Sequence, residues 1–264
     1  MSERVLIDVD EHVARVTLNR PEKMNAIDAD MFAAVAAVGE RLRDRPDVRA
    51  VVLSGAGEHF CAGIDVASFA QTEPATAAER LTASGDSPAN YYQQPAYNLR
   101  ALPYPVIAAL SGNVFGGGLQ IALGADIRLA APDARLSIME IKWGLIPDMA
   151  LTHTLRGLLS RDRLKELTFT GRLVDAAEAA SLGLVTRVEA DPLAAAVALA
   201  KTIAARSPDA IRASKQLIDE AFERPSADGL RLEATLQRDV LAGGNHREAV
   251  AANVEKREPR FVDG

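Results

Sequence analysis

Residues 105–119 read PVIAALSGNVFGGGL, and this stretch decides which fold the sequence forms. Its apolar first half predicts a buried strand over Pro105–Leu110, and the triplet Gly116–Gly118 predicts a tight turn into a helix that begins at Leu119. Backbone without side chains lets a ligand approach closely, and its N–H groups suit a developing oxyanion. On its own, the turn is more typical of an ordinary strand-to-helix connection. It does not predict a nucleotide phosphate loop, because no Lys-Ser/Thr pair follows it.

A second turn with small residues follows the predicted strand Ala50–Leu53. Residues 58–65 read EHFCAGID, and Ala62 and Gly63 leave the backbone N–H of Ile64 accessible. One such turn is typical of many loops. Two of them after neighbouring buried strands predict a pair of backbone donors that bind a single anion.

A third stretch, MEIKWGLIPD over residues 139–148, carries two acids. Glu140 is expected to end a strand, and Asp148 follows beyond a Gly and a Pro that exclude a single helix. Two carboxylates in one cavity can divide proton removal and proton donation if their environments separate their pKa values. Each acid alone is also typical of a solvated loop, and Asp148 is typical of a helix N-cap before Met149.

The rest of the chain predicts strands early and helices late. Two β-rich runs, Val5–Val9 and Val13–Leu18, indicate a hairpin, and Asp28 is a favourable N-cap for the helix that follows it. Further strands are predicted at Ile127–Ala130 and Leu136–Met139. Strands before helices favour an α/β core with an added helical region.

From Thr152 onward the sequence is almost wholly helical. Favourable helix starts in this part are Asp175, Asp191 and Ser207. We therefore expect a core over residues 1–195 and a helical region over residues 196–264.

One segment between these parts has a different character. Residues 71–94 are rich in Thr, Ser and Pro and predict an irregular excursion with one helical turn near Ala77–Leu81. A long loop inside a compact domain is usually functional or disordered. We expect this excursion either to line a ligand pocket or to be a tolerated surface insertion.

The composition excludes several classes of function. The 264 residues include 30 Lys+Arg and 36 Asp+Glu, a net charge of −6, whereas a nucleic-acid-binding protein needs a basic surface. Cys61 is the one cysteine and the four histidines show no ligand spacing, so we expect no metal and a reducing, cytoplasmic setting. No signal peptide is recognised, and no apolar run approaches the roughly 20 residues that span a bilayer. We expect neither a nucleic-acid nor a membrane partner.

In this order, the quoted stretches resemble the crotonase superfamily, the enoyl-CoA hydratase/isomerase family. The likeness covers nearly the whole chain, and its motifs together are highly specific. Further matching motifs are NRPEKMNA at 19–26, ADIR at 125–128, TGR at 170–172 and EKR at 255–257.

The resemblance implies a spiral of β-β-α turns whose C-terminal helices form a homotrimer, often a hexamer built as a dimer of trimers. It implies a coenzyme A thioester substrate, with no metal and no separate cofactor. In this family two backbone N–H groups, here matching Ile64 and Gly117, hold the thioester oxygen as an enolate forms. The positions that match the coenzyme A contacts are Lys23, Met24, Ala26, Ala62, Asp65 and Lys256.

The resemblance to the hydratases is incomplete at the acids. Hydratases use two Glu, one at the position of Glu140 and one where this chain has Gln120, whose amide cannot exchange a proton at neutral pH. Losing one of two such groups costs about 10²–10⁴-fold in rate. Asp148 matches an Asp of the Δ3,5-Δ2,4-dienoyl-CoA isomerases, although these also carry an Asp in place of Gln120.

We therefore predict double-bond isomerisation of acyl-CoA thioesters, with Glu140 and Asp148 as base and acid and Gln120 as a positioning group. The alternative is an enoyl-CoA hydratase that uses Glu140 and a water held by Gln120. From another class, a non-catalytic acyl-CoA-binding scaffold stays open, because a fold alone does not guarantee chemistry.

Overall fold

The computed structural model describes residues 3–69, 74–83 and 87–263. The strands are β1 (Val5–Asp10), β2 (Val13–Leu18), β3 (Ala50–Gly55), β4 (Val106–Leu110), β5 (Asn113–Phe115), β6 (Ile127–Ala130), β7 (Arg135–Ser137), β8 (Val174–Asp175) and β9 (Arg187–Val188).

The α-helices alternate with these strands at first and then follow one another. They are α1 (Ala29–Arg43), α2 (Val66–Phe69), α3 (Pro74–Arg80), α4 (Gln94–Arg100), α5 (Gly117–Leu123), α6 (Leu151–Thr154), α7 (Arg161–Thr170), α8 (Ala176–Leu182), α9 (Pro192–Ala204), α10 (Pro208–Ala221), α11 (Ser226–Ala242) and α12 (Gly244–Glu255). Short 3-10 helices cover Pro21–Lys23 and Glu140–Trp143. Within the described residues, no helix is long and apolar enough to cross a membrane.

The main sheet has the strand order β1-β2-β3-β4-β6-β9. The predicted hairpin is confirmed, since β1 and β2 pair antiparallel, and the remaining neighbours in this sheet pair in parallel. A smaller sheet of order β5-β7-β8 lies beside it. Strand β5 was not predicted, because its three residues stand between glycines in a stretch that we interpreted as a turn.

Both faces of the main sheet are covered, which explains why its central strands read as unbroken apolar runs. On one face, Val52 and Ile107 pack against Ala200 of α9. On the other face, Leu53 and Ala108 belong to the larger core, which α1 and α4 complete. The predicted boundary between residues 195 and 196 falls inside α9, and the division into two regions stays a prediction.

Helix α1 begins where the sequence predicts. Asp28 accepts a hydrogen bond from the Met31 N–H, and its carboxylate also pairs with Arg4 at 2.6 Å. The predicted N-caps of α8, α9 and α10 are confirmed in the same way, at Asp175, Asp191 and Ser207.

The excursion over residues 71–94 contains the predicted helical turn as α3. Residues 71–73 and 84–86 of that prediction lie outside the described residues. Its last residues lead into α4, which packs against α1 beside the main sheet. Three described residues of the excursion, Arg80, Tyr91 and Tyr92, line a small cavity together with Ile64.

Candidate active site

The two small-residue turns lie side by side. The Cys61 N–H donates to the Asn113 oxygen and the Phe115 N–H donates to the Cys61 oxygen, each over 3.0 Å, so the loop after β3 pairs with β5. The two turns are also close to each other, because a Cβ added to Gly117 would lie 3.5 Å from Ile64 Cγ1. The predicted donors Ile64 and Gly117 are therefore neighbours in space, although 53 positions separate them.

Glycine is required where the two loops touch. Gly63 has a φ of +90°, and a Cβ there would lie 2.8 Å from the Phe115 oxygen. A Cβ on Gly118 would lie 2.6 Å from the Cβ of Cys61. Such distances are shorter than any side chain tolerates, so the small residues bring the two backbones into contact.

The two backbone donors are available to a ligand. Neither the Ile64 N–H nor the Gly117 N–H donates a hydrogen bond within the part of the chain that the structure describes. Both residues line a cavity of about 270 Å³. Two such amides at one point suit an oxygen that gains negative charge during a reaction.

Glu140 brings a carboxyl group to this cavity. The prediction that it ends a strand is wrong, because β7 ends at Ser137 and Glu140 begins the following 3-10 helix. Its side chain is 8% exposed and lines the cavity. Glu140 Oε1 accepts a hydrogen bond from Gln120 Nε2 over 2.6 Å, whereas Oε2 is buried and has no partner among the described residues.

The environment of Glu140 favours the neutral acid. Burial raises the pKa of its carboxyl, and the charge of Asp148 adds to the rise, while hydrogen bonds from its own backbone N–H and from Gln120 oppose it. A raised pKa in a cavity is typical of a group that exchanges protons near neutral pH.

Gln120 is held at both ends of its amide. Its Oε1 accepts from the Met149 N–H over 2.8 Å, while its Nε2 donates to Glu140. The side chain is 1% exposed and lies behind the cavity wall rather than in it. The structure therefore places Gln120 between the acid and the loop that carries Asp148.

Asp148 lies near Glu140 without lining the same cavity. Its interpretation as a helix N-cap is wrong, because the N-cap of α6 is Ala150, which has a positive φ of 64°. Burial raises the pKa of the Asp148 carboxyl. The loop thus holds two acids with elevated pKa values close enough for their charges to interact.

The residues predicted to bind coenzyme A surround the first of the two loops. The Ala62 N–H donates to the Met24 oxygen over 2.9 Å, and Ala62 lines the cavity. The Asp65 carboxylate is held by Arg20 at 2.7 Å, which also donates to the Ala26 oxygen. Only the backbone and the outer surface of this region are left for a ligand.

Two of the predicted contacts are less closely tied to the cavity. Lys23 ends the 3-10 helix beside this region. Lys256 ends α12, and within the described residues it has no hydrogen bond or ion pair to either loop. A role for Lys256 at this site stays a prediction.

Sequence reasoning missed the residues that hold the loops in place. Asn25 is fully buried, and its Nδ2 donates to the backbone oxygens of Ala56 and His59. The Arg20 N–H donates to Asn25 Oδ1. The pattern of small residues alone does not show that an Asn inside this polar turn is buried and holds the loops.

Sequence reasoning also missed the apolar wall of the cavity. Val66, Trp143 and Leu145 line it and are each about half exposed, at 43%, 60% and 42%. The sequence did contain a signal for this wall. Large apolar residues in a loop flanked by Gly and Pro usually contact another part of the protein or a ligand.

Cys61 takes no part in nucleophilic chemistry at this site. It is fully buried, and burial raises the pKa of its thiol to about 12. Its Sγ donates to the Asn25 oxygen, and His59 instead accepts from the Asn113 N–H. Cys61 is therefore a small side chain of the core.

Comparison with known proteins identifies the family. The profile of the family described as enoyl-CoA hydratase/isomerase matches residues 8–264. A probable enoyl-CoA hydratase, echA8 of Mycobacterium bovis, is 35% identical over 262 residues, which cover 98% of each chain. The peroxisomal Δ3,5-Δ2,4-dienoyl-CoA isomerase of Arabidopsis thaliana is 31% identical over 97% of this chain and 94% of its own.

Solved structures agree with this assignment. The crystal structure of an enoyl-CoA hydratase from Bacillus anthracis superimposes with a TM-score of 0.91 at 29% identity, covering 99% of this chain and 100% of that one. Mixed sheet, paired turns and C-terminal helices are thus those of the crotonase fold, as expected from the motifs. This chain belongs to the enoyl-CoA hydratase/isomerase family.

Proposed function

We propose that the protein isomerises a double bond of enoyl-CoA thioesters. The Ile64 and Gly117 N–H groups hold the thioester oxygen, and Glu140 removes a proton from a carbon next to the double bond. The electron pair then spreads into the thioester as a dienolate, whose oxygen carries the charge. Asp148 returns a proton farther along the acyl chain, which moves the double bond.

The observation that supports isomerisation most is the position of Gln120. Its amide oxygen is taken by Met149, its Nε2 donates to Glu140, and it stands behind the cavity wall. Among the described residues that line the cavity, none therefore offers a side-chain amide to orient a water molecule for hydration. Asp148 does not line the cavity either, but unlike Gln120 it is partly exposed and can carry a proton, so it is the group near Glu140 that we assign to the second proton transfer.

Hydration of 2-enoyl-CoA is the second candidate. Several relatives are named enoyl-CoA hydratases, echA8 among them. Glu140 alone can act as a general base toward a water that the apolar cavity admits. This reaction needs no proton transfer by Asp148.

The test compares three substrates in deuterated water. Purified protein is offered 2-enoyl-CoA, 3-enoyl-CoA and 3,5-dienoyl-CoA, and both the absorbance and the position of deuterium in the product are followed. The proposal expects conversion of 3-enoyl- or 3,5-dienoyl-CoA that Asp148→Asn slows by about 10²–10⁴-fold. Fast hydration of 2-enoyl-CoA that survives Asp148→Asn contradicts it and establishes the second candidate. Binding of all three without turnover contradicts both and supports a scaffold.

The coenzyme A moiety is proposed to lie along the first loop. The exposed residues Lys23 and Met24 are offered to it, while the N–H groups of Ala26 and Ala62 already donate within the protein and fix the shape of the loop. Asp65 contributes through the conformation that Arg20 fixes. Because the carboxylate of Asp65 is already neutralised, it does not repel the phosphates of the ligand.

We also propose a homotrimer, or a hexamer built from two trimers. Large apolar side chains stand exposed on the last helices, with Phe222 at 86%, Val254 at 77% and Leu230 at 66%. Exposed apolar surface of this extent is typical of an interface. Light scattering after size-exclusion chromatography gives the mass directly, and a monomeric mass contradicts the proposal.

A further inference from the structure

A second cavity adjoins the first one. It has a volume of about 40 Å³ and lies between the start of α1 and the excursion that carries α3. Ile64 lines both cavities, so a single side chain separates the second cavity from the backbone N–H proposed to hold the thioester oxygen. The two cavities are therefore neighbours across Ile64.

The wall of this second cavity contains the cation Arg80. Arg80 is partly buried, and its guanidinium lies 4.7 Å from the centre of the Tyr91 ring. It forms no ion pair and no side-chain hydrogen bond with any residue that the structure describes. A charge removed from water is normally paired, so this guanidinium is suited to an anion that a ligand brings.

A neutral donor in the same wall also has no partner. Tyr92 is 6% exposed, and its hydroxyl is buried without a hydrogen bond among the described residues. Its ring is fixed edge-on against Phe32 and Tyr91, at centroid distances of 5.7 and 5.3 Å. Buried hydroxyls in folded proteins nearly always have a partner, and this one, which is covered while the cavity is empty, gains one if a bound ligand oxygen reaches it.

Asp28, the acid in this wall, does not neutralise the charge of Arg80. Asp28 lines the cavity, but its carboxylate is already bound by Arg4 at 2.6 Å and approached by Arg20 at 3.5 Å. It also accepts from the Met31 N–H at the start of α1. Because Arg4 already serves as its counter-ion, Asp28 does not need Arg80.

We propose that the second cavity holds a carboxylate at the far end of the acyl group. The substrates are then short enoyl-CoA thioesters whose acyl chain ends in a carboxylate rather than in a methyl group. The size agrees, because a cavity of about 40 Å³ holds a group of a few atoms, such as a carboxylate. This inference rests on the proposed function, since it takes the position of the thioester from Ile64.

Binding of two unreactive ligands tests the inference without any turnover. Hexanoyl-CoA and adipyl-CoA have the same number of acyl carbons and differ in a terminal methyl against a terminal carboxylate. Calorimetry with the wild-type protein is expected to show adipyl-CoA binding about tenfold or more tightly, the size of a hydrogen-bonded charge pair. Arg80→Met is expected to abolish this preference and to leave the affinity for hexanoyl-CoA unchanged.

Two further variants distinguish the ligand contact from a structural role. Arg80→Lys keeps the charge and is expected to retain part of the preference for adipyl-CoA. Tyr92→Phe keeps the ring packing and is expected to weaken adipyl-CoA severalfold while sparing hexanoyl-CoA. An equal loss of both ligands in either Arg80→Met or Tyr92→Phe overturns the proposed contact.

The outcomes separate this inference from the function on which it rests. Equal affinity of the wild-type protein for the two ligands overturns the carboxylate subsite and leaves the proposed isomerase intact. Failure of both ligands, and of 3-enoyl-CoA, to bind overturns the proposed function and the subsite with it. A preference for adipyl-CoA that persists in Arg80→Met shows that another group binds the carboxylate and overturns the assignment to Arg80.

Discussion

The side-chain amide of Gln120 donates a hydrogen bond of 2.6 Å to Glu140 Oε1 inside the protein. The orientation of that amide is fixed by its other end, since only a carbonyl oxygen can accept from the Met149 N–H. Glu140 is thereby held in one rotamer, and its position depends on the loop that also carries Asp148. The positions of Glu140 and Asp148 therefore depend on the same loop.

Replacement of Glu140 by Gln removes the proton-transfer group while it keeps the shape and an oxygen for the Gln120 amide to bind. We expect kcat for the preferred enoyl-CoA to fall by about 10²–10⁴-fold. Binding of a saturated acyl-CoA is expected to stay unchanged, because the backbone donors Ile64 and Gly117 are intact. Steady-state kinetics and calorimetry check the two parts. Full activity in this variant would show that another group transfers the proton.

The pH dependence of the rate follows from the raised pKa of Glu140. The carboxyl removes a proton only when it is ionised, so kcat/KM is lost as the pH falls through the raised pKa of Glu140. In the proposed isomerisation kcat/KM is lost again at higher pH, as Asp148, whose pKa is also raised, gives up the proton that it must donate. Because the charge of Asp148 contributes to the rise, Asp148→Asn is expected to move this acidic limb to lower pH. Asp8→Asn, a change of an exposed acid on β1, serves as the control and is expected to leave the limb in place.

The opposite shift is expected for Gln120→Glu. This change puts a second carboxylate within hydrogen-bond distance of Glu140, and like charges at that distance disfavour ionisation. The acidic limb is expected to move to higher pH, and kcat at neutral pH is expected to fall by about tenfold. A pH profile identical to that of the wild-type protein would mean that Gln120 has no influence on the titration of Glu140.

Gly63→Ala tests the contact between the two turns. A Cβ there meets the Phe115 oxygen at 2.8 Å, so the loop must shift and the Ile64 N–H moves with it. Loss of one oxyanion donor costs about 10²–10³-fold in kcat. Gly157→Ala is the matched control, because Gly157 also has a positive φ, of 77°, but a Cβ there meets nothing within 4 Å. If both variants lose activity equally, backbone strain rather than the contact is responsible.

Asp28→Ala is expected to destabilise the protein more than Asp191→Ala does. Both residues cap a helix, which is worth about 1 kcal/mol. Asp28 in addition pairs closely with Arg4, which its removal would leave without an anion, whereas Arg20 keeps its pair with Asp65, so we expect a total loss of about 2 kcal/mol. Denaturant unfolding of the two variants measures the difference. Equal losses would show that the ion pairs at Asp28 contribute nothing to stability.

The hairpin and the helix starts could be predicted from the sequence because the interactions that form them join residues close together in the chain. The hairpin of β1 and β2 and the N-caps at Asp28 and Asp175 are set by residues close to each other in the chain. The small residues before Ile64 and around Gly117 also indicated where the backbone would be accessible to a ligand.

Non-local contacts explain where the predictions failed. Strand β5 exists because its partners are the loop after β3 and strand β7, neither of which lies next to it in sequence. The turn at Glu140 is a 3-10 helix rather than the end of a strand, since β7 pairs with β5 only as far as Ser137.

The sequence by itself determined the family, the two backbone donors and the pair of acids as candidates. Only the tertiary structure decided that Gln120 stands behind the cavity wall, held between Glu140 and Met149, and that Arg80 faces a cavity next to Ile64. The reason is physical. A residue type limits which bonds a side chain can make, but which partner it meets depends on how distant segments pack together.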